Sequence, residues 1–501
     1  MTVDSDRAVP SRRTAVTIGV LLVSCLASME VTVVSTAVPT MVKALGGLQY
    51  YSWVFTSYML TITVSVPLWG KLSDLYGRKR IYCGALLLFV LGSGLSGQAD
   101  SMGELVVWRL FQGLGAGALT PVGQAILADL YSLESRAKIQ TYFSAAFGVA
   151  SAVGPIIGGF VTEHFSWRWV FYLNLPLAIS ALALIGWGLR EGRTRERQPL
   201  DWMGAFFFTG SFSLFFLWLD LGNQWGWGSP RSYAAILGFT IFLSGLGAVE
   251  KKAVDPLLPL LFFKDRMLLG SLVVSLFVGT GLYGALTYLP LYFQSVQGRS
   301  ASAAGGALTP LLLSWMLVSM ASPRLVLKIG YRPVIFVGAA CMALSFWRLI
   351  DCGAHSSLTN VILAGSLLGM AGGLCFSPLM IGAQSVVQSA QMGAASAAVT
   401  FFRSVGGALG MALMGAALAS APESAELGLD RAFTVGVVAS VLAGLAVGLL
   451  PGGTAEEIQD EALHRHNRAV TGLTPSGASP PHTKDAHHVP ERPEPPDIRL
   501  R

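Results

Sequence analysis

The feature that most constrains this chain is the recurrence, from residue 14 to residue 450, of apolar stretches each about as long as a bilayer is thick. A helix rises about 1.5 Å per residue and the hydrocarbon core spans about 30 Å, so roughly 20 apolar residues make one crossing. Ranges 14–38, 51–69, 81–98, 104–127, 140–162 and 168–189 qualify, then 201–219 and 232–249, then 267–294, 303–322, 333–350, 358–381, 393–420 and 432–450. Charged segments at 190–198 and 251–266 divide them into six, two and six. Lipid offers backbone groups no hydrogen-bond partner, so each crossing must satisfy its own, and the expected fold class is an all-α polytopic membrane protein. Composition excludes the alternative: with 53% hydrophobic and 12% charged residues, a soluble globule would be covered in apolar patches.

Charge placement tests the count and sets the orientation. If the N-terminus faces the cytoplasm, 26 of the 34 Lys and Arg residues fall in the N-terminal segment, the loops on its side and the C-terminal tail. The other eight are Lys43, Arg109, Arg168, Arg231, Arg299, Arg348, Arg403 and Arg431, within helices or on the far side. A miscounted span would invert this bias downstream, so fourteen spans with both termini inside is the consistent reading. The net charge of +6 resides in short loops and the tail, which speaks for membrane orientation and against nucleic acid as a partner. Arg12 and Arg13 precede an apolar run without a small-residue cleavage site, as expected of an uncleaved first helix with a basic anchor. Cys25, Cys83, Cys341, Cys352 and Cys375 are odd in number and mostly intramembrane, indicating packing roles and neither a disulfide framework nor a metal site. The segment 452–501, rich in Pro, His and charge, reads as a disordered cytoplasmic tail; its histidines, His464, His466, His482, His487 and His488, lack the fixed geometry a metal needs.

The motif richest in information is Gly70-Lys-Leu-Ser-Asp74-Leu-Tyr-Gly77-Arg78-Lys79-Arg80, in the loop between the second and third spans. Gly70 and Gly77 suit a tight turn and close helix approach, Asp74 suits a helix terminus, and the three cations anchor to the cytoplasmic side. A generic basic loop would explain the cations but not the Gly, Asp and Gly spacing.

With this motif the sequence resembles the major facilitator superfamily, whose corresponding loop reads G-x-x-x-D-x-x-G-R-[KR]-[KR]. Further points of resemblance are Arg109-Leu-Phe-Gln112-Gly113-Leu-Gly-Ala-Gly117 in the fourth span, Gly154-Pro155-Ile-Ile-Gly158-Gly159 in the fifth, which looks like the exporter motif, Trp167 to Pro176, and Tyr288 to Gln294. Together they resemble the fourteen-helix drug:proton antiporters, the QacA-like and EmrB-like pumps of the bacterial inner membrane. The resemblance implies two six-helix bundles, 14–189 and 267–450, related by a pseudo-twofold, with 201–249 as a peripheral two-helix insert and residues 1–13 as a cytoplasmic lead. It implies a monomeric exporter of amphipathic, hydrophobic or cationic small molecules, surrounded by lipid, driven by protons and needing no cofactor. Asp74, Arg78 and Asp129 would form a cytoplasmic charge cluster, which Arg403 would join unless it merely snorkels. The second-half counterpart, Arg324-Leu-Val-Leu327-Lys328-Ile-Gly330-Tyr-Arg332, has Leu327 where the acid is expected.

Glu30 is the only acidic residue in the interior of any expected span. A buried carboxylate is costly and so should be neutral, paired or functional, which are the properties of a proton carrier. The surrounding Met29-Glu30-Val-Thr32-Val-Val-Ser35-Thr36-Ala-Val-Pro39 resembles the first helix of these antiporters, where Asp is more usual. Arg109 lies at matching depth, roughly 8 to 12 Å from the outer ends of their helices, and is the expected partner. The alternative is a static ion pair that orients helices. Gly154 and Pro155 should kink the fifth span, and Gly158 and Gly159 should admit a close neighbour. Ser28, Thr32, Gln112, Tyr288 and Gln294 are candidate cavity residues, although such groups often bond only their own backbone. Gly279-Thr-Gly281-Leu-Tyr-Gly284 fits a dinucleotide fingerprint but lies inside an apolar span, and no phosphate-binding loop accompanies it, so ATP is not expected as the energy source. Two rival functions share these features: a lipid or lipid-linked metabolite flippase, and a transport-incompetent receptor or assembly protein on the same scaffold.

Overall fold

A computed structural model describes residues 5–131, 133–190, 202–251, 263–353, 356–387, 392–421, 423–454 and 457–458. The side chain of Asp74, the charged segment 191–201 and the tail from 459 onward lie outside the described residues. Helices account for nearly all the rest, and no strand occurs among the described residues. The first half contains α1 (Ser5–Leu45), α2 (Tyr51–Tyr76), α3 (Arg78–Ser96), α4 (Met102–Leu130), α5 (Leu133–His164), the single turn α6 (Trp169–Tyr172) and α7 (Asn174–Gly188). Next come α8 (Trp202–Trp225) and α9 (Pro230–Glu250). The second half contains α10 (Arg266–Leu291), α11 (Ala301–Ile329), α12 (Tyr331–Ile350), α13 (Leu358–Ser385), α14 (Met392–Ala419) and α15 (Ala425–Ala446).

Eleven helices among the described residues are long and apolar enough to cross a bilayer, against fourteen expected crossings. α2, α5 and α8 occupy the three remaining ranges, and α8 offers the shorter apolar run Met203–Leu219. Several helices overrun the ranges read from hydropathy; α1 starts at Ser5 and α5 at Leu133. Hydropathy marks the lipid-embedded part, whereas a helix can continue into turns that face water. The expected sixth span divides at Leu173, just before Pro176, whose missing N–H costs no hydrogen bond in the first turn of the helix that follows. Asn174 therefore opens α7. Serine and aspartate start other helices: the Asp265 carboxylate accepts the N–H groups of Met267 and Leu268 at 2.8 and 3.1 Å, and Ser300, Ser357 and Ser424 cap α11, α13 and α15.

The halves repeat one another. α2 packs on α4, α3 on α4 and α1 on α5; correspondingly α11 packs on α13, α12 on α13 and α10 on α14. The repeat extends to a backbone detail. Gly77 (φ 98°) separates α2 from α3, and Gly330 (φ 82°) separates α11 from α12, conformations that a residue with a Cβ resists. Gly70, by contrast, lies within the continuous α2 with open space beside it, so the turn belongs to Gly77 alone. Large apolar side chains such as Leu91, Trp187, Met320 and Leu445 point outward, as they must where lipid is the solvent.

Hereafter the near end is the one carrying the α2–α3 turn, and the far end the one carrying the α1–α2 and α10–α11 connections. The halves meet along two flanks, α5 against α11 and α2 against α14. α8 lies over the second flank, touching both α2 and α14, while α9 packs on α8. Phe208 and Phe212 of α8 pack against Phe401 of α14 with ring centres 5.1 and 5.2 Å apart, the second pair edge to face, and Phe206 and Phe207 meet Phe242 of α9.

Candidate functional site

Glu30, on α1, is 1% exposed, and every donor around it comes from another helix. Its Oε1 accepts from Arg109 Nη1 and, at 3.0 Å, from Gln112 Nε2, both on α4. Its Oε2 accepts from Asn174 Nδ2 at 2.6 Å, and the same amide donates to Ser93 Oγ on α3 at 2.9 Å. Arg109 is fully buried. It also donates through Nη1 to Gln112 Oε1 at 2.7 Å and through Nε to the Val54 carbonyl of α2 at 3.1 Å. Its guanidinium carbon lies 4.0 Å from the centre of the Tyr58 ring and 5.8 Å from that of Phe171, a setting that spreads the charge over aromatic faces. One atom, Nη2, has no hydrogen-bond partner among the described residues.

Local sequence produces this convergence. A Cβ at Gly113 would strike the Tyr58 carbonyl of α2, and one at Gly92 of α3 would strike the backbone of Gln112. Glycine at both places lets α2 and α3 close on α4, so that Arg109 and Gln112, one turn apart on α4, are held against α1. A carboxylate and a guanidinium so deep in a low-dielectric interior attract strongly, and the surrounding amides satisfy the oxygens that the pair leaves open.

A second ionic contact lies at the near end. Arg78, at the start of α3, donates through Nε to Asp129 Oδ2 near the end of α4 at 2.9 Å and through Nη1 to Ser73 Oγ of α2 at 2.9 Å. Asp129 is exposed, so the pair contributes about 1 kcal/mol or less on its own. Lys79 and Arg80 follow in the first turn of α3, with Arg80 exposed. The guanidinium carbon of Arg403 lies 5.2 Å from the centre of the Phe376 ring of α13, and no ion pair joins it to the α3–α4 contact among the described residues.

Residues 20–411 match the family model described as Major Facilitator Superfamily. The chain belongs to the major facilitator superfamily. It is thus a multi-pass membrane transporter and not an enzyme. The multidrug transporter protein MdtP of Bacillus subtilis (strain 168) is 35% identical over 415 residues, covering 81% of this chain and 76% of that protein. Multidrug resistance protein 3 of the same organism is 29% identical over 469 residues, covering 92% of this chain and 91% of that protein. Among solved structures, a D-xylose-proton symporter superposes with a TM-score of 0.66 at 16% identity, covering 88% of this chain and 98% of that one, a likeness of fold alone.

Within this major facilitator fold, the glycines of the α5 motif sit at two crossings. A Cβ at Gly154 or Gly158 would collide with Thr32, Thr36 or Val33 of α1, and one at Gly159 with the backbone of Ala301 at the start of α11. Pro155 reaches the same flank, its carbonyl lying against Gly305 of α11. The motif therefore bears on the seam between the halves as well as on packing inside the first half. Further contacts join the halves at the far end: the Tyr51 hydroxyl donates to the Thr287 carbonyl at 2.8 Å, Gln294 Nε2 donates to the Thr36 carbonyl at 2.9 Å, and the Ser302 N–H donates to the Glu163 carboxylate at 3.0 Å.

The candidate cavity residues divide accordingly. Ser28 and Thr32 donate to the carbonyls of Cys25 and Met29 on their own helix. Gln112 belongs to the Glu30 cluster. Tyr288 donates to the Met411 carbonyl of α14 at 2.8 Å and stacks on Tyr51, and Gln294 bonds α1, so both are part of the far-end closure. Sequence reasoning assigned no role to Asn174, Ser93, Tyr58 or Phe171. An amide in an apolar span was the available signal for Asn174; the others are ordinary intramembrane residues until the helices are assembled.

Proposed function

We propose that this transporter is a proton-coupled exporter of amphipathic small molecules, an antiporter of fourteen spans in the cytoplasmic membrane of a bacterium, with both termini inside. The relatives named for multidrug transport and resistance support efflux. Arg12, Arg13 and the cations of the α2–α3 turn, clustered at the near end, support a cytoplasmic location for that end. With that orientation the structure is closed toward the outside.

The observation that carries the reading is the ligation of Glu30 by three donors on two other helices. Ionised, Glu30 balances Arg109 and ties α1 to α4 and to α7. Protonated, it loses its attraction for the guanidinium, and Arg109 is left as a buried charge without a counter-ion, a costly state that favours rearrangement of the three helices. A proton arriving from outside would thus shift the balance between the two access states, and its release inside would restore the tie. Asp74, Arg78 and Asp129 would act at the opposite end, holding the near end together when it closes.

Inverted membrane vesicles test this directly, with an imposed proton gradient and uptake of ethidium and of a neutral dye as readouts. Wild type should accumulate dye, whereas Glu30→Gln, which imitates the protonated state, and Arg109→Ala should not, although both remain folded and monodisperse. Dye movement indifferent to the gradient and to both substitutions would exclude proton coupling through this cluster.

A further inference from the structure

We propose that the second half holds an anion-binding subsite at Arg403, so that among amphipathic cargoes those with an acidic group on an aromatic or otherwise apolar body are preferred over their neutral and cationic counterparts. The inference deepens the export reading and rests on it for the direction of movement.

Arg403 lies about 11 residues, roughly 16 Å, along α14 from its start at Met392, at a depth where a charge needs a partner. It has none among the described residues. Its Nε is buried without a hydrogen-bond acceptor, it makes no ion pair, and its guanidinium lies over the face of Phe376. Four other arginines of the bundle have acceptors: Arg109 has Glu30, Arg78 has Asp129, Arg168 has Asp100, and Arg332 has the carbonyls of Gly448 and Leu450. An aromatic face lessens the cost of an intramembrane guanidinium but does not replace a carboxylate or phosphate, for which its planar fork of donors is suited.

The surroundings supply the rest of a binding site. Arg403 is half-buried, so protein does not enclose the whole guanidinium. Phe376 continues into Trp315 of α11, with ring centres 5.5 Å apart, and Trp315 is itself half-buried. The result is a two-ring aromatic platform with a cation at one edge. The first half offers no competing attraction for a cationic cargo, because its intramembrane carboxylate, Glu30, is saturated by three donors and fully buried. Electrostatically, the described interior has a spare positive charge and no spare negative one.

Three probes that share one body and differ in charge test this: 1-pyrenebutyrate, 1-pyrenebutanol and 1-pyrenebutylamine, bound at equilibrium to the full-length protein in nanodiscs of zwitterionic lipid. Wild type should prefer the carboxylate over the alcohol and the amine. Arg403→Gln should weaken the carboxylate about tenfold or more, the loss expected when a charged hydrogen bond is removed, and leave the alcohol unchanged. Arg403→Lys should retain part of the preference, and Phe376→Leu should weaken all three probes together. Competition by short-chain phosphatidylglycerol that vanishes in Arg403→Gln would assign the same anion site to a lipid headgroup. Equal binding of the three probes in wild type, or a carboxylate affinity untouched by Arg403→Gln, would overturn the proposal. Binding requires no proton gradient, so a protein that passes this test but moves no probe in vesicles would refute the export reading and leave the anion site standing.

Discussion

At the scale of single residues, the informative contrast is between two intramembrane arginines, one surrounded by acceptors and one without any among the described residues. Arg109 uses Nε and Nη1 on three acceptors in separate directions, a geometry that an ammonium cannot reproduce. Arg109→Lys should therefore lower gradient-driven transport about tenfold or more while the protein stays folded, which vesicle uptake alongside size-exclusion profiles would check. Asn174→Leu should leave one Glu30 oxygen and the Ser93 hydroxyl without their donor, at a cost of about 1 to 3 kcal/mol, measurable as a lower unfolding temperature in detergent. Glu30 could be singled out from sequence because an acid in an apolar span has few innocent explanations, and Arg109 could be matched to it by depth. Ser93 could not, and Asn174, though visible as an amide in an apolar span, could not be assigned to Glu30, because their part depends on how α3 and α7 are rotated toward α1, which hydropathy does not encode. The same limit applies to Arg403: its depth was countable, but its approach to Phe376 was not.

At the scale of elements, helices were legible as apolar runs, while their ends and interruptions depended on local chemistry. The break at Leu173 before Pro176 and the π-helical turn Tyr292–Val296, which carries Gln294 to α1, leave no trace in hydropathy. The α2–α3 turn was readable because its motif marks it, yet only Gly77 has the backbone that demands glycine. Gly77→Ala should cost about 1 to 3 kcal/mol of stability, whereas Gly70→Ala, with open space and helical geometry, should cost none, a comparison that thermal unfolding of the two variants would settle. The α5 motif was expected to pack closely without a known partner, and assembly supplies α1 on one side and α11 on the other. Gly159→Val should force α5 off the Ala301 backbone and open the far end, raising the accessibility to a membrane-impermeant maleimide of a cysteine introduced at the buried far-end position Thr287 in an otherwise cysteine-free chain.

At the scale of the whole molecule, the two halves form a pair of near-repeats whose far-end contact is partly ionic. Ser302 and Ser300 at the start of α11 hold the Glu163 carboxylate below its usual range by hydrogen bonding, the Ser302 N–H donating to it at 3.0 Å. Because that acidity is raised by the contact, its contribution to closure is complete above the ordinary carboxylate range and is lost as pH falls through the lowered value. Spin labels at Phe165→Cys and Arg299→Cys in a chain freed of other cysteines should report a short distance at neutral pH that lengthens in acid, and Glu163→Gln should remove the pH dependence. The pseudo-symmetry does not extend to the flanks. α8, faced with phenylalanine, covers the α2–α14 junction, and nothing comparable among the described helices covers α5 and α11. A greasy molecule diffusing within a leaflet thus finds one side of the protein shuttered and one bare, and the approach from the bilayer has a handedness that the repeated halves alone would not impose.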